Sequence, residues 1–338
     1  MAQHSAIEWT DATVNFWWGC TKVGPGCDFC YAETLDRFRG GGAHWGLGVP
    51  RRKIASAAKL IHRLDNDYAA WAADRECGLC GPHAGISRRV FIQSMSDLFD
   101  LEVPLEWFAE AWGLIKACER IEIQIVTKRI SAVEKRLAEI GETEWPKHAG
   151  LMITVVNQDE ADRDVPRLLA LKANLCIPWV GLSCEPLLGP IALYSLGGRA
   201  WAKDPSAIVH DALVGFRSDQ VHTAKLDWVI VGGESGRDAR TMHPDWARSL
   251  RDQCAAAGTA FLFKQWGEWA PSTPEEARGN PRSGWQAIAA HPHVARASEL
   301  YPEAGAKFVA RVGKKSAGRL LDGVEHNSFP TTETRNGV

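Results

Sequence analysis

Three of the chain's nine cysteines fall within one short stretch, Cys20-Thr-Lys-Val-Gly-Pro-Gly-Cys27-Asp-Phe-Cys30. Two cysteines separated by two residues can point at one centre from a single turn. Gly24-Pro25-Gly26 lets the backbone fold sharply enough to bring Cys20 back to them. Three thiolates from one loop suit a [4Fe–4S] cluster with one open iron, because such clusters are held by cysteine sulfur. They also suit zinc, which takes four ligands in structural sites. A second pair, Cys77-Gly-Leu-Cys80 with His83 three residues on, is a candidate second metal site or a solvent loop with incidental thiols. Cys27, Cys30, Cys77 and Cys80 together would make a four-sulfur zinc site, although the gap between the pairs exceeds the roughly 15–20 residues of zinc ribbons. Cys118, Cys176, Cys184 and Cys254 lie in apolar contexts and read as small core residues.

The frame for this loop shows as a rhythm of short apolar runs followed by helical patterns. The runs are Val90–Gln93, Glu122–Thr127, Leu151–Val156, Trp179–Ser183, Trp228–Val231 and Phe261–Lys264. Most lack strict alternation, as strands covered on both faces of a parallel sheet do. Leu105, Phe108, Trp112 and Ile115 line one face of a helix from Leu105 to Glu119. Ser131 to Glu134 predicts a capping box opening a helix through Ile140. A third helix runs from Asp245 to Ala257, with Pro244 near its start and Gly258 past its end.

This alternation predicts an α/β fold, a partial or complete (β/α) TIM-like barrel, with an open sheet fitting as well. The barrel is expected over residues 1–269, with insertions at about 40–88 and 190–225. An irregular extension over 270–330 is expected to pack on it, and a disordered tail over 331–338 to follow.

In a barrel, reactive side chains gather at the C-terminal ends of strands. Counting a strand before Cys20 as the first, the ends carry Ser94, Ser96 and Asp97, then Lys128, then Asn157, then Glu185, then Glu234, then Lys264. Lys128, Glu185, Glu234 and Lys264 are the catalytic candidates. All four also read as members of structural ion pairs, Lys128 with Glu185 and Lys264 with Glu234. Strand-end polar residues are common because loops are solvated, so their recurrence around the sheet is the stronger signal. Gly232-Gly233 reads as a tight turn or a close backbone approach.

Composition narrows the classes. The chain of 338 residues is 45% hydrophobic and 24% charged, which excludes collagen-like, coiled-coil and wholly disordered readings. Its formal charge of -2 advertises no nucleic-acid partner, although Lys314, Lys315 and Arg319 form a small basic segment. No apolar run approaches the roughly 20 residues of a membrane span, and no secretory signal is visible at Met1–Trp9. The expectation is a cytoplasmic protein without membrane partners, in which thiols stay reduced. Among the 15 tryptophans, Trp9, Trp17 and Trp18 flank the cysteine loop. Trp266 and Trp269 follow the last apolar run, where indole rings would wall a site.

From Asn15 to Glu33, the Asn, the Gly-Cys and the Cys-x-aromatic-Cys-Tyr-Ala pattern resemble the cluster loop of radical S-adenosylmethionine (SAM) enzymes, nearest to the branch related to spore photoproduct lyase. Ile7–Thr13, Ser94–Phe99, Thr127–Arg129, Glu185–Pro190, Val231–Gly236, Lys264–Trp269 and Val312–Asp322 extend the likeness over most of the chain. Together they resemble the phage gene-product 37/68 family, the three-Cys-motif proteins. The resemblance implies a [4Fe–4S] cluster on Cys20, Cys27 and Cys30, SAM chelated by the fourth iron, and Phe29 near the adenine. It implies Ser94, Ser96 and Asp97 at the methionyl amino group, and Lys128, Asn157 and Glu185 at the ribose and carboxylate. The first cysteine gap is six residues here against three in the usual pattern, and the Gly-Gly-Glu follows the sixth strand rather than the second. SAM cleavage and hydrogen abstraction would be the reaction, with a nucleic-acid base or modified nucleotide as the first substrate class. A methyltransferase-like partner protein and a separate electron donor are also implied. The alternatives are a zinc-binding module for nucleic acid or a partner protein, and a metal-free interaction protein.

Overall fold

The computed structural model describes residues 3–73, 88–204, 206–273, 275–276, 284–291 and 296–330. Cys77, Cys80, His83 and the 331–338 tail lie outside the described residues. The chain divides into two compact units. One holds the residues up to Ile153 with Leu171–Val180, and the other holds Thr154–Ala170 with Gly181–Pro330.

In chain order the first part supplies β1 (Ala12–Val14), β2 (Trp17–Trp18), α1 (Tyr31–Leu35), β3 (Arg52–Lys53), α2 (Ala57–Asn66) and α3 (Tyr68–Ala73). It continues with β4 (Arg89–Ile92), α4 (Leu105–Ala117), β5 (Glu122–Thr127), α5 (Val133–Glu139) and β6 (Ala149–Thr154). After α6 (Gln158–Leu175) come β7 (Val180–Cys184), α7 (Gly198–Trp201), β8 (His210–Asp211), β9 (Phe216–Arg217) and β10 (Trp228–Gly232). The chain ends with α8 (Pro244–Ala257), β11 (Ala260–Gln265), β12 (Trp269–Ser272), β13 (Trp285–Ile288), β14 (Lys307–Arg311) and α9 (Lys314–Ala317).

The result is a mixed α/β fold on a seven-stranded parallel sheet in the order β1-β4-β5-β6-β7-β10-β11. Every residue of β6, β7 and β10 is buried, which is why their sequences read as unbroken apolar runs. Among the described residues β1 and β11 are the two edges of this order, the arrangement of a partial rather than a closed barrel. Helix α8 ends as its sequence predicts, with Gly258 in the left-handed conformation at φ 69°. The expected capping box of α5 does not form. Ser131 lies inside a 3-10 turn over Ile130–Ala132, and Ala132 takes the cap position without a side-chain bond.

Two further expectations are corrected. The 270–330 extension is not irregular, since β12, β14 and β13 form a three-stranded antiparallel sheet there. Trp269 and Val309 anchor its inner face against Ala239. The tryptophans expected to wall a site are largely core residues. Trp17 is fully buried, Trp9 packs on Phe91 at 4.8 Å, and the indole N–H of Trp266 donates to the Leu320 carbonyl at 2.9 Å.

Candidate functional site

The cysteine loop begins where β2 ends, and its entry is sterically fixed. Gly19 has φ 111°, and a Cβ there would lie 2.3 Å from the His44 carbonyl oxygen, so only glycine lets the two strands of chain approach. The Gly46 amide donates to the Cys20 carbonyl at 3.0 Å. Beyond Gly24 the chain makes a 3-10 turn over Pro25–Cys27, and Cys30 is the N-cap residue of α1. Lys22 closes the loop. Its ammonium donates to the Asp28 carbonyl at 2.9 Å and pairs with Glu33 at 2.9 Å.

Beneath the loop lies a charge network that the spacing of cysteines does not reveal. Arg129, two residues past β5, donates to the Cys20 sulfur at 3.4 Å and to the Thr21 carbonyl at 2.7 Å. Its guanidinium pairs with Asp97 at 3.2 Å and approaches Asp100 at 3.9 Å. Arg51, whose side chain is fully buried, pairs with Asp100 at 2.9 Å and donates to the Thr21 hydroxyl at 2.7 Å. Burial pushes the Cys20 thiol up to about 12, with Arg129 working in the opposite direction. Burial also opposes the Arg129 charge, but Asp97, Cys20 and Asp100 hold that guanidinium more firmly protonated than usual.

The end of β4 is stitched to the segment after β1. Asn15 donates to the Ser94 hydroxyl at 3.1 Å and accepts the Met95 amide at 2.8 Å. The Ser96 hydroxyl donates to the Trp17 carbonyl at 3.1 Å, and Tyr31 donates to the Ser94 carbonyl at 2.5 Å. Gln93 takes a left-handed conformation, φ 65°, and its side-chain carbonyl accepts the Phe16 amide at 2.7 Å. Asp97 accepts from the Thr127 hydroxyl at 2.8 Å, the Phe99 amide at 3.0 Å and the Lys128 amide at 2.9 Å. Its oxygens are spent on holding these segments together. Ser94 is half-buried with its hydroxyl bonded to Asn15, and Phe29 is 43% exposed.

Among the described residues, no three His, Cys, Asp or Glu side chains already converge as a metal-holding group. The loop supplies a donor set rather than a finished cage. That set suits a thiolate-bound group in its chemistry, with three sulfurs on one closed loop and a guanidinium at Cys20 to offset thiolate charge.

The second unit carries its own cluster of strand-end residues. Glu185, just past β7, forms a short ion pair with Lys264 of β11, and both are partly exposed. The expected Lys264–Glu234 pair is not made. Glu234 is instead gripped by Arg240, which the sequence reading did not single out. The side-chain nitrogen of Gln265 donates to the Ser235 hydroxyl at 3.0 Å, while its side-chain oxygen is buried without a partner. Gly233 answers to a close approach between loops. A Cβ there would lie 1.9 Å from the Trp266 carbonyl oxygen, and one at Gly267 would lie 2.1 Å from that of Glu234. Asn157 serves the start of α6, since its side-chain oxygen accepts the Glu160 amide at 3.0 Å.

A family model described as a protein of unknown function (DUF5131) matches residues 4–330. The chain belongs to that family. No curated protein and no solved structure matches it. The DUF5131 match takes in every site residue described above, and it spans both units and the C-terminal antiparallel sheet. No helix among the described residues is long and apolar enough to cross a membrane.

Four residues of this DUF5131 chain escaped sequence reasoning as a site, namely Arg51, Arg129, Arg240 and Tyr31. Arg129 carried a signal in its place two residues past an apolar run, and Tyr31 in the Cys-Tyr-Ala of the cysteine motif. The partners of Arg51 and Arg240 are distant in sequence or depend on how loops fold back, and no spacing rule reaches them.

Proposed function

We propose that this DUF5131 chain is a radical SAM-type enzyme on a partial (β/α) barrel, with Cys20, Cys27 and Cys30 as ligands of a [4Fe–4S] cluster. The observation that supports it is the closed loop that carries the three cysteines, with a guanidinium at Cys20, at the strand-end side of a parallel sheet. Cys20, Cys27 and Cys30 would hold the cluster, which when bound and reduced would supply the electron for SAM cleavage and so the means of hydrogen abstraction. The protein's part is to bind, orient and shield. Phe29 gives an exposed ring for the adenine, and Ser94 gives a hydroxyl already oriented by Asn15. Lys264 and Glu185 form a coupled pair at their strand ends, able to bind a polar substrate group or hold its proton. The first substrate class to try is a nucleic-acid base or modified nucleotide.

The test is anaerobic purification and reconstitution, followed by iron and sulfide analysis and a SAM-cleavage assay. Iron and sulfide in near-equal amounts are expected, with cluster and cleavage both lost in Cys27→Ala. Zinc in the purified protein, or no metal after reconstitution, would overturn the reading. Cys20→Ala separates the two metals further, because the four-sulfur zinc alternative does not use Cys20.

A further inference from the structure

Arg129 joins two parts of the fold that have no sequence proximity, the cysteine loop and the end of β5. One guanidinium nitrogen lies 3.4 Å from the Cys20 sulfur, and another donates to the Thr21 carbonyl at 2.7 Å. The side chain is 11% exposed, and Asp97 at 3.2 Å and Asp100 at 3.9 Å hold it from behind. Asp97 is itself fixed by Thr127, Phe99 and Lys128, and Asp100 by Arg51. The guanidinium therefore has little freedom to turn away from the sulfur.

We propose that Arg129 is a positioning residue for Cys20, orienting its sulfur and raising the reduction potential of the cluster that sulfur helps to hold. This rests on the cluster reading given above. Partners beyond the ligands orient them and tune the metal. Hydrogen bonds to cluster sulfurs are among the determinants of iron–sulfur potentials, because a donor favours the more negative reduced state. Lysine is no substitute. Its single ammonium on a flexible stem does not reproduce a planar fork that reaches the sulfur and the Thr21 carbonyl together.

Full-length wild type, Arg129→Lys and Arg129→Met are reconstituted anaerobically with iron and sulfide. Iron content, the electron paramagnetic resonance spectrum of the reduced protein and the midpoint potential are then measured. Iron is expected in all three, with the potential shifted to more negative values in R129M, a smaller shift in R129K and an altered spectrum in both. R129M that holds iron at the wild-type potential overturns the role of Arg129 while leaving the cluster reading standing. If R129M does not fold, R129K carries the test, and a wild-type potential there overturns the proposal. Wild-type protein that takes up no iron overturns the cluster reading and this role with it.

Discussion

Arg240 closes on Glu234 from three directions. Its Nε reaches Oε2 at 2.9 Å, its Nη2 reaches Oε1 at 2.8 Å, and its own amide donates to Oε2 at 2.8 Å. A carboxylate held this way has both oxygens committed, so Glu234 fixes the loop after β10 rather than waiting for a substrate. The pair is nearly buried on the glutamate side, at 7% exposure. Glu234→Gln is therefore expected to lose about 1–3 kcal/mol of stability, as removal of a charge-assisted partner does. Urea denaturation measures it. A neutral effect would return Glu234 to the list of groups free to act in chemistry.

Much of the sheet was legible because its strands are buried on both faces. Glu122–Thr127 appears with the bounds its sequence predicts, and the other strands shift by one or two residues. Helix α8 was legible through Pro244 and Gly258, each a local signal at a helix end. The antiparallel sheet was not legible. Its strands are four or five residues long and separated by Pro, Gly and Ala, and one inner-face residue, Trp269, directly follows a loop. The site was legible only as far as local chemistry reaches. Cysteine spacing announced the loop, but the choice of Glu185 by Lys264, and of Arg240 by Glu234, is made by how strand ends approach in space.

Gly233 and Gly267 press two loop backbones together, and the space for a side chain is absent at both. A Cβ at Gly233 meets the Trp266 carbonyl oxygen, and one at Gly267 meets that of Glu234 while also straining a backbone at φ 83°. Neither obstacle is a flexible side chain that can move aside. Gly233→Ala and Gly267→Ala are each expected to cost about 2–4 kcal/mol, in the range of overpacking and strain combined. Thermal melts of the two variants check this. Wild-type midpoints for both would mean that the loops separate readily in solution.

Buried thiols give the protein a stability that alkali removes. Burial pushes Cys118 and Cys254 up to about 12 from an ordinary 9.0. Between those values the native state keeps protons that the unfolded chain has released. The contribution is thus complete below pH 9 and is lost as pH rises through about 12. A single such thiol steepens the decline by at most about 1.4 kcal/mol per pH unit. Cys254→Ala is expected to flatten the fall in urea midpoint between pH 9 and 11, apart from a pH-independent cost of the lost sulfur. An unchanged slope would show that the Cys254 thiol ionises as readily in the native state as in the unfolded one.

Asp322 has the opposite sign. The hydrogen bond from Arg248, at 2.7 Å, outweighs the opposing effect of burial and, together with the one from Arg251, at 2.6 Å, holds its carboxyl down to about 2 against an ordinary 3.8. The group contributes stability that is complete above pH 3.8 and lost as pH falls through about 2. Its side chain is 39% exposed, so water and salt screen the pair and the contribution is modest. Asp322→Asn is the clean variant, because asparagine also accepts the left-handed backbone, φ 56°, that residue 322 adopts. It removes the charge without straining the turn that ties the C-terminal segment to α8. Thermal melts from pH 5 to pH 2 should show a shallower acid limb in D322N than in wild type. Raising the salt concentration should narrow the difference. Parallel acid limbs at low salt would mean that the two arginines do not hold Asp322 in solution.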